Sequence, residues 1–241
     1  MSIGYDKWLV NHEMLLGLGL EEVSGVAGDV VHDKARGDLT ENHHTCTLTG
    51  ATIAWGSVAS GFPYLAFTPA TPDYLSCPVA DTTDLDFTAG QDFSMAAWIY
   101  ITNLADRCIM ARGLAAGGGT DGWGFIVDNT GRVELATMQA GATQATYSTV
   151  TIVINTWFLV GACVDISANS ARTYINGRDK TDAPASHTAP LTSARDLRVG
   201  YRLDNDYPFS GYMAYPRIWG RDIGADQMKT IWNVERHWFG L

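Results

Sequence analysis

The sequence predicts an all-β fold, a sandwich or jelly roll of antiparallel strands with one short helix at its C-terminal end. Three observations point to it. From residue 65, short strand candidates follow one another with no helix between them, turn-forming residues separate them, and apolar residues at helical spacing come at the end of the chain. Strands at this spacing without intervening helices are typical of two-sheet antiparallel folds.

The strand candidates contain β-branched and aromatic residues and are bounded by Gly, Pro, Asn and Asp. In chain order they are 65–68 (LAFT), 73–79 (DYLSCPV), 92–101 (DFSMAAWIYI), 122–128 (GWGFIVD), 132–139 (RVELATMQ), 157–165 (WFLVGACVD), 171–175 (ARTYI), 196–201 (DLRVGY) and 211–219 (GYMAYPRIW).

Several of these segments alternate with period two, as strands with one buried face do. In 92–101 the alternation places one set of apolar side chains on a single face: Phe93, Met95, Ala97, Ile99 and Ile101. In 211–219 it predicts two faces, with Tyr212, Ala214 and Ile218 on one and Met213, Tyr215 and Trp219 on the other.

Two turns indicate that neighbouring strands run antiparallel. Asn176-Gly177 follows 171–175 and supplies the positive φ angles of a tight hairpin. Asn129-Thr130-Gly131 separates 122–128 from 132–139 in the same way.

The helix is predicted at about 224–238, where Met228, Ile231, Trp232, Glu235 and Trp238 follow at helical spacing. No linker or composition shift divides the chain, so 1–241 is predicted to be one domain with its core at about 15–222.

Composition and charge exclude two classes of partner. The chain has 16 Lys and Arg against 26 Asp and Glu, a net charge of −10, so it lacks the basic surface that phosphate backbones require and we expect no nucleic-acid partner. No run approaches the length of a membrane span, so we expect no membrane insertion.

The cellular location of the protein is predicted from its N-terminal segment and its cysteines. Polar residues interrupt the apolar ones in 1–22, so we expect no signal peptide. The cysteines are widely spaced and form no CxxC pair, so all of them are interpreted as buried free thiols: Cys46, Cys77, Cys108 and Cys163. Both features predict synthesis in a reducing cytoplasm.

The order of the motifs resembles the laminin-G-like jelly-roll family, within the concanavalin-A-like lectin/glucanase superfamily. The string that carries the resemblance is DYLSCP, FSMAAWIYI, GWGFIVDNTGRV, NTWFLVGACVD, TYINGRD, LRVGY and FSGYMAYPRIWGRDIGADQM. The segment LEEVSGVAGDVVHDKARGDLTENHHTCTLTGATIAW takes the place of the usual opening strand and polar loop, so the resemblance covers about residues 15 to 236. The resemblance implies a two-sheet antiparallel jelly-roll sandwich. Four tryptophans in or beside its strands are expected to fill the space between the sheets: Trp98, Trp123, Trp157 and Trp219.

The carboxylates predict no hydrolytic site. Glycosidases of this superfamily carry acids in an E-x-D-x-x-E pattern, because the reaction needs two carboxyl groups across a cleft. Glu134 is the only glutamate inside a predicted strand, and it has no acidic partner two residues away. We therefore expect no enzymatic activity and assign no catalytic residue.

Calcium is the one cofactor that the acidic residues leave open. Asp204-Asn205-Asp206 and the group Asp81, Asp84 and Asp86 could supply oxygen ligands. Against calcium, the position where the family often carries an acidic residue is Ala214. We expect these acids to be turn formers and assign no metal ligand and no cofactor.

A glycan site would require aromatic rings beside hydrogen-bonding groups. The candidates are the residues in and beside one loop: Tyr201, Asp204, Asp206 and Tyr207. Packing in the core or at its rim is the alternative for these rings.

With no catalytic group, we expect a non-enzymatic structural and surface-recognition protein. The preferred hypothesis is a virion decoration or auxiliary protein, made in the cytoplasm of the host of a phage, that binds capsid protein, associates with itself and displays a glycan-binding face. The alternative is a carbohydrate-binding, lectin-like adhesion module, since jelly rolls serve in both roles. Low charge favours subunit contacts, and the apolar end Trp238-Phe239 is expected to dock on this or a neighbouring subunit.

Overall fold

A computed structural model describes residues 13–18, 27–33, 35, 44–70, 73–113, 121–139, 142–183, 186–202 and 206–241. Its strands are β1 Met14–Gly17, β2 Val30–His32, β3 Thr45–Thr49, β4 Ala54–Ser57, β5 Pro63–Phe67, β6 Tyr74–Cys77, β7 Phe93–Ile101, β8 Arg107–Gly113, β9 Gly122–Val127, β10 Arg132–Gln139, β11 Ala142–Thr151, β12 Trp157–Asp165, β13 Ser170–Ile175, β14 Arg178–Asp179, β15 Leu197–Val199 and β16 Gly211–Trp219. Most of the segment 1–22, in which no signal peptide is expected, lies outside the described residues.

The strands form two eight-stranded antiparallel sheets that pack as a sandwich, which confirms the predicted fold class. Sheet I has the order β14-β13-β12-β7-β16-β5-β4, with β1 also paired to β16. Sheet II has the order β11-β10-β9-β8-β15-β6-β3-β2. The hairpins at Asn176-Gly177 and at 129–131 join antiparallel neighbours as predicted.

The main core lies between the two sheets, and the alternating set predicted on β7 faces it: Phe93, Met95, Ala97, Ile99 and Ile101. Trp123 also lies in this core, as expected. Trp98 and Trp219 do not. They are fully buried on the outer face of sheet I, where the C-terminal helix covers them, and Trp157 is half-buried on that same face. The prediction that all four tryptophans lie between the sheets is therefore wrong for these three.

A β-bulge in β16 overturns the predicted faces of this strand. Ala214 pairs with Trp98 while Arg217 pairs with Ala96, so β16 carries one extra residue at this point. Tyr215, inside the bulge, has a φ of 47°. Beyond the bulge the alternation is shifted by one residue, so Ile218 faces the main core and Trp219 faces the helix.

The helix α1 extends over Gly224–Glu235 and is followed by a 3₁₀ turn, Arg236–Phe239, in agreement with the predicted 224–238. Met228 and Ile231 are fully buried against sheet I. At Gly177, which has a φ of 70°, an added Cβ would lie 2.6 Å from Cβ of Trp232, so glycine permits the close approach of the hairpin and helix. Among the described residues, no helix is long and apolar enough to cross a membrane.

Cys46 and Cys77 form a disulfide, so the prediction that all cysteines are free is wrong for this pair. The two residues are 31 positions apart in sequence, but the pairing of Thr47 with Ser76 brings them opposite each other on β3 and β6. Cys108 and Cys163 are buried and free, as predicted. Because disulfides persist mainly in oxidising compartments, this pair does not support the inference of a reducing cytoplasm.

Candidate functional site

A row of aromatic rings crosses the outer face of sheet I. Trp157, Tyr100 and Tyr212 are direct cross-strand neighbours on β12, β7 and β16, and Tyr64 on β5 extends the row to a fourth strand. Each of these rings occupies an outward position of its strand, opposite in direction to the side chains that form the main core. All four are half-exposed.

The rings are close enough to form one continuous surface. The ring centroids of Tyr100 and Trp157 are 5.7 Å apart, those of Tyr100 and Tyr212 are 5.0 Å apart, and those of Tyr64 and Tyr212 are 4.7 Å apart. These separations lie within the range of favourable aromatic pairs. The row therefore forms the floor of a cleft whose rings hold one another in place.

Two chain segments form the walls of this aromatic cleft, which has a volume of about 400 Å³. One is the segment 57–60 after β4, and the other is the C-terminal segment 237–240. They are joined where the Ser60 hydroxyl donates a hydrogen bond of 2.7 Å to the carbonyl of Trp238. The lining consists of Ser57, Val58, Ala59, Ser60, Tyr64, Tyr100, Trp157, Tyr212, His237, Trp238, Phe239 and Gly240.

The C-terminal wall rests on the sheet through aromatic contacts. The ring of Phe239 stacks on Trp98 at 4.0 Å and contacts Trp157 at 4.8 Å, while Trp238 stacks on Phe62 at 4.8 Å. The apolar end of the chain thus docks on its own sandwich, one of the two alternatives expected from the sequence.

A buried ion pair fixes the helix end just before that wall. The Arg217 guanidinium donates to both carboxylate oxygens of Glu235, at 2.6 and 3.0 Å, and the indole N–H of Trp98 donates to Glu235 Oε2 at 2.7 Å. All three side chains are fully buried. Removal of either partner would leave the other charge buried and uncompensated, which is strongly destabilising.

The cleft is electrically neutral. Among the described residues that line it there is no aspartate, glutamate, lysine or arginine. Burial and the neighbouring Tyr212 raise the pKa of Tyr64, so its hydroxyl remains protonated and able to donate and accept hydrogen bonds. The cleft can therefore stack a flat, weakly polar ring and bind its hydroxyl groups, and it supplies no carboxylate pair for acid–base chemistry.

The glycan candidates from the sequence lie elsewhere, on the outer face of sheet II. Tyr201 is buried and stacks on Tyr74 at 5.5 Å. Asp206 forms an ion pair with Arg202, whose guanidinium lies 3.7 Å from the ring centroid of Tyr207. These three candidates are close in space, and the fourth, Asp204, lies outside the described residues.

In the second acidic group, Asp81 is exposed, and Asp84 and Asp86 form ion pairs. Asp86 pairs with the buried Arg112, and Asp84 accepts from Nε2 of the buried His44 at 2.9 Å. In the part of the chain that the structure describes, no group of three or more His, Cys, Asp or Glu residues is arranged to hold a metal ion. Asp84 and Asp86 thus compensate buried cations.

Sequence reasoning missed the aromatic cleft, although three of its rings belong to predicted strands. The signal was present in the alternation of β7, where Trp98 and Tyr100 occupy the positions between the core residues. Without the strand order β12-β7-β16-β5, however, nothing in the sequence indicates that Tyr64, Tyr100, Trp157 and Tyr212 meet.

The chain belongs to the laminin-G-like family of the concanavalin A-like lectin/glucanases superfamily, whose model matches residues 73–229. This match covers more than half of the chain and confirms the resemblance inferred from the motifs. No curated protein matches the sequence.

Solved structures with the same fold include binding domains. Domain 4 of the extracellular arabinanase AbnA from Geobacillus stearothermophilus, solved in complex with arabinotriose, has a TM-score of 0.67 and 15% identity, over 91% of this chain and 98% of that one. The botulinum neurotoxin serotype G binding domain has a TM-score of 0.67 and 13% identity, over 92% of this chain. The binding domain of botulinum neurotoxin DC, solved with rat synaptotagmin II, has a TM-score of 0.64 and 11% identity, over 93% of this chain.

The chain spans about half the length of the toxin domains, 51% for serotype G and 52% for DC. At these identities the likeness shows the fold alone, which is the lectin-like jelly roll of the superfamily.

Proposed function

We propose that this member of the laminin-G-like family is a non-enzymatic carbohydrate-binding module, and that its aromatic cleft binds a neutral oligosaccharide. The observation that carries the proposal is the row of four half-exposed rings across β12, β7, β16 and β5. The faces of sugar rings expose C–H groups that pack on aromatic faces, and the tyrosine hydroxyls can bond the sugar hydroxyls.

Two further observations support this proposal. The arabinanase domain with the same fold was solved with arabinotriose, a neutral oligosaccharide. The cleft itself has no aspartate, glutamate, lysine or arginine among its described lining residues, which favours a neutral ligand over a charged one. A row across four strands, at about 4.8 Å per strand, is also long enough to contact more than one sugar unit.

The experiment is isothermal titration calorimetry with a panel of neutral oligosaccharides that includes arabinotriose. For the tightest-binding sugar, Trp157→Ala is expected to weaken affinity by about tenfold or more, because it removes one of the largest stacking surfaces. Tyr212→Phe keeps the ring and removes one hydroxyl, so a smaller loss is expected. Tyr147→Ala, on β11 of sheet II, is the matched aromatic control and is expected to bind like the unchanged protein. Equal losses in Trp157→Ala and Tyr147→Ala would contradict the assignment of the cleft.

The virion role inferred from the sequence stays a prediction, as do the capsid partner and self-association. Self-association is tested by measuring the molar mass of the protein by light scattering across a roughly hundredfold dilution. A closed oligomer that survives dilution supports a particle component, and a monomer argues against it.

A further inference from the structure

Arg198 stands out among the cations on the outer face of sheet II. It lies on β15, half-buried, with its guanidinium carbon 4.5 Å from the ring centroid of Tyr74 and 5.8 Å from that of Tyr201. The two rings are nearly parallel, at an interplanar angle of 15°. A guanidinium over tyrosine faces is favourable, but this contact leaves its N–H donors available in the plane of the group.

No carboxylate neutralises Arg198 within the described part of the chain. Its Nε is buried and has no hydrogen-bond partner. Asp196, two residues away, is already engaged, since it accepts from the amide of Val79 at 2.8 Å and from the hydroxyl of Ser76 at 3.3 Å.

A second guanidinium lies nearby. Burial raises the pKa of the Cys108 thiol to about 12, and the positive charges of Arg202 and Arg198 oppose this rise, so both cations act on the same buried sulfur. Arg202 pairs with Asp206, and its own Nε is also buried without a partner. Of these two guanidiniums, Arg202 has a carboxylate partner and Arg198 has none in the described part of the chain.

We propose that Arg198, with Tyr74 and Tyr201, binds the carboxylate group of an acidic saccharide at a second site, on the face of the sandwich opposite to the aromatic cleft. The planar fork of a guanidinium matches a carboxylate with two parallel hydrogen bonds. Ser76 and Thr47 occupy the same cross-strand row as Arg198, so their hydroxyl oxygens can accept hydrogen bonds from a sugar bound there. The proposal does not depend on the neutral-ligand cleft.

The test is calorimetry with trigalacturonic acid, with galactotriose as the neutral probe of equal length. We expect the acidic probe to bind and the neutral one to bind about tenfold more weakly or not at all at this site. Arg198→Gln is expected to weaken binding of the acidic probe by about tenfold, because it removes a charge-assisted bidentate contact. Arg198→Lys is expected to weaken it as well, since an ammonium lacks the planar fork.

Arg172→Gln, an exposed arginine on β13 in sheet I, is the matched control for the loss of one positive charge and is expected to change nothing. Thermal unfolding verifies that each variant is folded. Unchanged binding of the acidic probe by Arg198→Gln would overturn the inference. The inference would also be overturned if Trp157→Ala lost binding of the acidic probe while Arg198→Gln kept it, because the acidic sugar would then occupy the aromatic cleft. Failure of neutral sugars to bind the cleft would leave this result unaffected.

Discussion

At the scale of single residues, His44 shows how a buried side chain ties distant segments together. Its Nδ1 lies 2.7 Å from Asp33 and its Nε2 lies 2.9 Å from Asp84, and Asp33 also accepts from the amides of Gly17 and Ala35. Burial lowers the pKa of His44, but the hydrogen bonds to the two carboxylates outweigh this effect and raise it to about 9. The imidazolium is therefore the form that the fold stabilises.

A pH dependence of stability follows. Because the pKa in the folded state lies above that of an unfolded histidine, about 6.5, the contribution is complete below pH 6.5 and is lost as the pH rises toward 9. The loss amounts to at most about 3 kcal/mol. Urea unfolding between pH 6.5 and 9 should show this decline in the unchanged protein and a flatter dependence in His44→Gln. The exposed His237→Gln is the control, and an equal slope in all three proteins would refute the explanation.

Glu235 is the second residue whose role can be measured. Its carboxylate binds Arg217 and Trp98, all three fully buried, so Glu235→Gln leaves the guanidinium with weaker compensation. Loss of a buried partner costs roughly 3–5 kcal/mol. Denaturant unfolding should show a loss of this order, while Lys229→Gln, an exposed change on the same helix, should stay within about 0.5 kcal/mol. Equal stability of the two variants would mean that the pair does not hold α1.

At the scale of elements, the disulfide joins β3 to β6 inside sheet II and makes a definite chemical prediction. Alkylation of the denatured, unreduced protein should modify Cys108 and Cys163 alone, as measured by mass spectrometry. After reduction, Cys46 and Cys77 should be alkylated as well. Because the bond closes a loop of 31 residues, its loss in Cys46→Ala/Cys77→Ala should lower the free energy of unfolding by roughly 2–5 kcal/mol. Modification of all four thiols before reduction would contradict the bond.

The elements also show which parts of the fold the sequence could predict. β7 was predicted because its apolar residues alternate without interruption. β8 was not predicted, because Arg107 and Arg112 give it the appearance of a surface segment. Arg107 donates a hydrogen bond to Asn103, and Arg112 forms an ion pair with Asp86. Only folding brings Asp86 to Arg112, so the sequence alone does not reveal that pair. The bulge of β16 was not predicted either, because a strict period-two alternation does not allow for an extra residue in the strand.

At the scale of the whole molecule, the two outer faces of the sandwich carry different chemistry. Sheet I presents a neutral aromatic floor, and sheet II presents arginines over tyrosines. The sequence pointed to the second face, through Tyr201, Asp206 and Tyr207, because these residues are close along the chain. The cleft draws its rings from strands that are far apart in sequence, so only the topology reveals it. The glycan role of the predicted loop residues stays a prediction.

The most direct measurement of the central claim follows the tryptophan indole N–H signals by nitrogen-15 NMR while the tightest-binding neutral oligosaccharide is added. Binding in the aromatic cleft predicts that the signals of Trp157 and Trp238, which line it, shift together with a single affinity. The signal of Trp123, buried between the sheets and bonded to the carbonyl of Leu85, should stay in place. Binding without any shift of Trp157 and Trp238 would contradict the assignment of the cleft as the carbohydrate site.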